Sequence, residues 1–449
     1  MEDNLTKTYA AVYLNNKTLF TSDRPDLLEP IRQQALEDFG NLGIPANKLE
    51  RYRYIDLLPA FNQKYDFYLK PDLLNLKIEE IFQCDVPQLD MKEVLTVNGF
   101  YYQNNSIKGW QPDGSYIGSL KQAMHDAPDL VAKYLNRTYT SSDGLLSLNS
   151  LLFLDGLFVF VPKNKALAFP LQLINLLIAN NDLFTTQRNL VVLEENASAT
   201  LVSCDHTLSS VPYLSNVSTE IFAGRNASLN LTTLQNFNNK TTAVTTTNIH
   251  QERDSRVQSV ILTLHGGTVR NNFNIKLNEE GADNQTHGLY LPDTNQRVDN
   301  SVFIEHIAPH CTSNQLFKGI LDDASQAAFT GRIYVARDAQ KTSAYQRCSN
   351  LLLTDQARAN ARPQLEIYAD DVKCTHGATA GQLDDEALFY LRSRGIGLQE
   401  ARFLLTFAFA YEVTQFIPLN DLRFRMEELI NKRLRKELGR CHNCMITGQ

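Results

Sequence analysis

Hydrophobic and polar positions divide the chain into three stretches of different character. From about 185 to 365, strand-length apolar runs recur at 190–193, 259–264, 302–307 and 332–335, separated by segments rich in Asn, Thr and Ser. No amphipathic helical pattern intervenes, which excludes a doubly wound α/β sheet and leaves a sandwich, a barrel or a β-helix. The β-helix is favoured because tight Asn-Gly hairpin turns are missing and because stacked Asn and Thr suit coils that satisfy one another. Residues 226–250 hold seven Thr and six Asn, the composition of a polar linker, yet Leu229, Leu231, Leu234 and Phe237 recur through them and argue for strands. No strict sequence repeat accompanies the pattern.

The two ends read as helical. A helix follows Arg24-Pro25-Asp26, with Leu27, Leu28, Ile31, Ala35 and Leu36 near one face, Asp23 as its expected N-cap and Gly40 as its expected stop. The Tyr-rich segment 52–54 is expected to pack, and 148–161 is apolar enough to be buried. Residues 61–150 mix short β-like runs such as 94–97 with helical ones such as 119–134. Toward the other end, Asp384 is expected to cap a helix that stops near Gly395. A second helix spans about 399–416, and Asn420 opens a charged third that ends at Gly439. The second carries Phe403, Leu404, Leu405, Phe407, Ala408, Phe409 and Tyr411, more than one apolar face, so another surface must cover the excess.

Size and charge narrow the classes. The chain has 449 residues, 43% hydrophobic and 21% charged, enough for two or three domains with a large core and too apolar for a disordered chain. Its formal net charge of −7 lacks the basic excess of a nucleic-acid binder. No run of 18 apolar residues free of charge suggests a membrane span, and the acidic start at Met1-Glu2-Asp3 does not read as a secretory signal. Seven thinly spread cysteines point to a reducing compartment, the cytoplasm, rather than a disulfide framework.

Candidate chemistry concentrates in residues 366–379. Two acids, Asp370 and Asp371, precede Cys374 and His376, whose spacing puts both on one face of a strand. Thiol and imidazole are borderline-soft ligands for iron, zinc or copper, and their proximity also suits an activated thiolate. Two ligands cannot close a tetrahedral site alone, and a plain edge strand turning at Gly377 is the bland alternative. Cys441 and Cys444 form half of a zinc or redox pair in a tail with no second CxxC. His287, His306, His310 and Cys311 cluster in sequence, but Pro309 rules out the helix that would align His306 with His310. No phosphate loop and no dinucleotide-binding fingerprint occurs. A β-helix polysaccharide lyase or hydrolase would need paired carboxylates, and the adjacent Asp370 and Asp371 face opposite ways.

Residues 301–410 resemble the SufB/SufD family of iron–sulfur cluster assembly scaffolds through HIAPHCTSNQLFKGILDD, FTGRIYV and the long run from Ala339 to Ile396 that contains KCTHGATAGQLDDEALFYLRSRGI. GIPANKLERYRYIDL is similar to the family's N-terminal segment, with Tyr52-Arg53-Tyr54 where Trp-Lys-Tyr is usual. His376-Gly377-Ala378 resembles the SufD branch and lacks the glutamate of SufB. The resemblance implies a mainly β fold, a right-handed parallel β-helix flanked by N- and C-terminal helical domains. On that basis the chain divides into a mostly helical 1–150, a β-helix core at 151–365 and a helical, partner-docking 366–449. It implies a scaffold rather than an enzyme, paired with a SufB-like subunit and a SufC-like ATPase; apart from the resemblance, exposed β-helix edges invite pairing, so a homodimer can form in isolation. No cofactor is then held tightly by this chain alone, and a transient iron–sulfur cluster belongs to the complex. His376 matches the family's histidine at the scaffold interface, Cys374 the cysteine two before it, and Cys348 lies near the position of SufB's cluster cysteine. His376 and Cys374 are the metal candidates. A purely structural interaction subunit is the alternative.

Overall fold

The computed structural model describes residues 2–71, 90–139 and 143–438; Cys84, Gly439, Cys441 and Cys444 lie outside these residues. Its centre is a parallel β-solenoid. Successive strands alternate between two sheets, so each pairs with the next but one, from Leu171–Leu177 to Lys373–Gly381 on one sheet and from Leu157–Val161 to Arg358–Ile367 on the other. The stretch 226–250 is two of these strands, Ser228–Asn236 and Thr242–Gln251. In-register pairing stacks like on like: Ile221, Ile249, Ile275, Ile304 and Ile333 stand over one another, all buried between the sheets. The solenoid sheets reach beyond 151–365 in both directions, since Lys92–Val97 pairs with Leu171–Leu177 and Lys373–Gly381 forms the last coil.

The repeat that the sequence hides lies in the backbone. At one corner of the coils a residue with φ between 54° and 73° recurs, at Asn164, Asn196, Asn226, Asp254, Gly281, His310 and Lys341. Each donates its N–H to a carbonyl of the following coil, from Glu195 for Asn164 to Asp371 for Lys341. The left-handed conformation favours Gly, Asn and Asp, but one hydrogen bond per coil holds His and Lys there as well. Asn226 Nδ2 also donates to Asn196 Oδ1 at 2.8 Å, and Asn196 to Asn164 at 2.7 Å.

The N-terminal helices seat on the outer face of one sheet through apolar contact with Phe184, Leu190, Leu214 and Val244 and through buried arginines. Arg188 gives Glu220 bonds of 2.7 and 3.1 Å with both side chains fully buried, and Glu220 further accepts from the Asn136 and Thr138 backbone. Arg270 pairs with Asp299 at 2.5 Å, donates to the Arg51 carbonyl, and lies 4.5 Å from the Tyr52 ring centroid. Tyr52, buried as its segment suggested, donates to Asp143 at 2.6 Å, and Asp143 caps the helix Gly144–Leu152. Arg32, from the helix Pro25–Leu42, holds the Ser150 and Phe153 carbonyls at the other end of that helix. Two expected boundaries move. With Pro25 as first helical residue the N-cap is Arg24, and Asp23 instead pairs with Lys121 and His125. Gly40 stays inside the helix, which ends at Gly43 with φ 63°.

The C-terminal helices Asp385–Ser393, Leu398–Thr414 and Asn420–Leu434 follow the last coil. Asp384 caps the first as expected, with Gly395 at φ 85° beyond its end. Asn420 is the first helical residue of the third rather than its cap, and that helix stops at Leu434, short of the expected Gly439. Leu234, Val260, Leu262, Leu289 and Leu316 on the outer face of the other sheet are covered by Ala410, Val413, Leu422, Met426 and Ile430. Strands apolar on both faces require such cover. His287 sits at this seam, its ring stacked 3.6 Å from that of Phe416, with no hydrogen-bond partner on either nitrogen.

Two tests follow. Arg188→Met leaves the Glu220 carboxylate buried without its counter-charge, and urea denaturation should show a loss of about 3–5 kcal/mol; a loss below about 1 kcal/mol would mean water reaches the pair. Burial pushes the His287 imidazole down to about 3 from 6.5. The unfolded chain therefore takes up a proton below pH 6.5 that the folded chain refuses, and stability falls as pH drops from 6.5 toward 3. His287→Leu should flatten the slope of stability against pH by about 1.4 kcal/mol per unit between pH 6 and 4; an unchanged slope would refute a buried neutral imidazole.

Candidate functional site

The last coil ends the solenoid with two edge strands, Arg358–Ile367 and Lys373–Gly381. Among the described residues no strand pairs with the outer edge of either. Cys374 and His376 both lie on Lys373–Gly381, and register puts them over Ala344 and Gln346 on the inward side of the coil. Cys374 is half-buried against a small cluster that includes Ile333, Val335 and Ala344, and burial raises its thiol above the ordinary range. His376 is exposed. The strand runs on through Gly377 to Gly381 instead of turning there, and most of it is exposed rather than buried.

Cys348 lies one coil below. It pairs in register with Ala378, two residues beyond His376, and is fully buried. Tyr290 Oη stands 3.7 Å from its sulfur and the Asn350 amide 3.5 Å. Burial pushes the thiol up to about 11, outweighing these two contacts, so Cys348 is a protonated core residue in the isolated chain. The three sequence candidates thus fall on two adjacent strands: Cys374 and His376 at the open end, Cys348 sealed beneath them. Gln346, directly under His376, was not singled out by sequence; it donates to Gln315 at 2.8 Å, and its side-chain carbonyl is buried without a partner. A glutamine in a strand carries no signal of its own until register places it.

The remaining candidates are apart. His306 is buried against Ser313 at 2.9 Å, His310 occupies a left-handed corner, and Cys311 donates to the Glu279 carbonyl. Asp370 and Asp371 lie in the bend before the last strand, Asp371 paired with Lys341. No group of three or more His, Cys, Asp or Glu side chains is placed to hold a metal ion among the described residues. Any ligand set at this end needs groups from elsewhere.

Exposed apolar side chains frame the open end and the helices. Tyr345, Ile367 and Tyr368 are 45%, 40% and 59% exposed beside the edge strands. On the C-terminal helices Phe389 is 74% and Phe424 65% exposed. Ala401, Thr406, Ala410, Val413 and Thr414 are the buried residues on Leu398–Thr414, whereas Leu404 and Tyr411 are exposed, so the excess apolar face is only partly covered. Among the described residues no helix is long and apolar enough to cross a membrane.

Thiol accessibility can be measured directly. At pH 8 a thiol of pKa about 11 is roughly one part in a thousand thiolate. Iodoacetamide should label Cys374 in the native chain and spare Cys348, with peptide mass spectrometry as readout. Equal labelling rates would mean the last coil opens freely.

Comparison with known proteins gives the geometry a family. Residues 176–409 match the SUF system FeS cluster assembly, SufBD core domain, and residues 3–173 match the SufBD protein N-terminal region. An iron–sulfur cluster assembly SufBD family protein of Synechocystis, slr0076, is 29% identical over 429 residues, covering 94% of each chain. The iron–sulfur cluster assembly protein SufD of Escherichia coli K12 is 29% identical over 408 residues, 90% of this chain and 93% of that one. Protein ABCI7, chloroplastic, of Arabidopsis thaliana is 26% identical over 88% of this chain and 84% of its own. The chain belongs to the SufB/SufD family of iron–sulfur cluster assembly proteins.

Proposed function

We propose that the chain is the SufD-type scaffold subunit of a cytoplasmic iron–sulfur cluster assembly complex. It pairs through its last coil with a SufB-like subunit and carries a SufC-like ATPase on its C-terminal helices, and it performs no turnover of its own. The observation that carries this reading is the unpaired last coil bearing Cys374 and His376. Parallel edge strands with free N–H and C=O groups are templates for further strands, and a second solenoid offering its own last coil would satisfy them. Tyr345, Ile367 and Tyr368 supply apolar area around that seam. Likeness to the E. coli SufD over most of both chains supports the subunit type.

Iron and sulfide are the cargo. Exposed His376 offers an imidazole nitrogen at the seam, and Cys374 a thiol that loses its proton on metal binding. The chain supplies two soft ligands on one strand face, and the partner completes the set. Burial of the seam on pairing removes water and strengthens each ligand contact. Cys348 takes part only when the coil above it shifts, since its thiol is sealed under Ala378.

The docking half of the reading rests on Phe389 and Phe424, aromatic side chains that a folded domain would ordinarily bury. Removing the helices after Arg394 is a poor test, because Val260, Leu262 and Leu316 would lose their cover. Single surface changes avoid this.

His376→Ala should leave the fold and partner binding intact and lower cluster yield on anaerobic reconstitution of the complex by about tenfold or more, the typical order for loss of a supporting metal-site group. Wild-type yield from that variant would remove His376 from the site. Phe389→Glu with Phe424→Glu should lose the ATPase in a pull-down while keeping the SufB-like partner. Retention of both partners would move the docking site onto the solenoid.

A further inference from the structure

One carboxylate ties the Leu398–Thr414 helix to two strands of the solenoid. Glu412 Oε2 stands 2.5 Å from Lys318 Nζ, and Glu412 Oε1 accepts from Arg347. Lys318 and Arg347 belong to the neighbouring parallel strands Thr312–Leu321 and Ser343–Leu352. The Lys318 side chain is only 7% exposed; its ammonium also donates to the Phe409 carbonyl at 3.0 Å and lies 4.1 Å from the Phe409 ring centroid. Arg347 precedes Cys348 in the chain and pairs in register with Gly377, the neighbour of His376. Of the other polar fixings, Gln258 of the strand Arg256–His265 donates to the Phe416 carbonyl just past the helix, far from the last coil, and two more lie at strand ends. Arg433 holds the Leu264 and Leu291 carbonyls and Asp293, and Arg402 holds the Leu353 carbonyl, all at or beyond strand ends.

We propose that Glu412 is a positioning residue that couples displacement of the C-terminal helices to the last coil. The inference rests on the reading that an ATPase docks on those helices. A nearly buried ammonium is costly without its counter-charge, so a helix that moves away cannot leave Lys318 behind cheaply. The strands follow instead, and the pull arrives at Arg347, directly under Gly377, and at Lys318, which pairs with Ser349 one strand further in. Because both strands are hydrogen-bonded along their length, they shift as a unit, and the strand carrying Cys374 and His376 shifts with them. The device turns motion at a protein-docking face into a change of packing above Cys348.

Hydrogen exchange in the complete complex with the SufB-like and SufC-like partners tests this. Peptides spanning 343–352 and 373–381 are followed with and without ATP. In the wild type, ATP should raise deuterium uptake in both peptides. Glu412→Gln should keep partner binding and ATP hydrolysis but lose that rise, and Glu412→Asp should restore part of it. Lys318→Met combined with Glu412→Gln removes the buried charge along with its partner, so the fold is retained, and it should lose the rise as well. An undiminished ATP-dependent rise in Glu412→Gln and in the double variant, with binding intact, overturns the coupling while leaving the docking reading standing. No rise in the wild type overturns both.

Discussion

Coil-on-coil hydrogen bonding is the constraint from which the rest of the structure follows. Each strand takes its backbone partners from the coils before and after it, and buried N–H and C=O groups cannot go without partners. That requirement imposes the common register, which in turn stacks Ile221 through Ile333 in one column and sets a left-handed corner residue in each coil from Asn164 to Lys341. It also guarantees that the ends of the solenoid are special. At the start, the antiparallel strands Gly109–Trp110 and Tyr116–Ser119 close one sheet. At the other end no described strand does so, and the candidate ligands stand there.

Sheet faces pose the second demand. One outer face mixes charge with apolar area: Arg188, Glu220, Arg270 and Asp299 are buried there beside Phe184, Leu190, Val192, Leu214 and Val244, which pack against the N-terminal segments. The opposite outer face is apolar and takes the C-terminal helices as its cover. The two flanking regions therefore share apolar contact and differ in their polar fixings. Buried charge pairs add directional fixing to the apolar contact of the first, whereas the second has apolar contact with a few anchors such as Arg433 and Lys318. Helices seated mainly by non-directional contact are better suited to small displacements, in keeping with their exposed Phe389 and Phe424.

The site reads as half of something larger. Cys374 and His376 share a face, Cys348 is sealed below, and no third ligand converges among the described residues. On the proposed reading, a partner would complete the set at this open edge.

Much of this was legible along the chain. Strand-length apolar runs without intervening helices determined a mainly β core, and the recurring leucines among Thr and Asn showed that 226–250 was structure rather than linker. Alternation of side chains in a strand placed Cys374 and His376 on one face. Capping chemistry gave Asp384 correctly and Asp23 wrongly, because Pro25 can start a helix without a side-chain cap before it. The roughly thirty-residue repeat stayed hidden since it is a repeat of φ and hydrogen bonding, met by Asn, Asp, Gly, His and Lys in turn. Only the tertiary structure decided that Cys348 lies one coil beneath Ala378, that Gln346 sits under His376, and that Glu412 reaches Lys318 and Arg347. Those relations join residues about 30 to 94 positions apart, and no local pattern of polarity encodes which coil stacks on which.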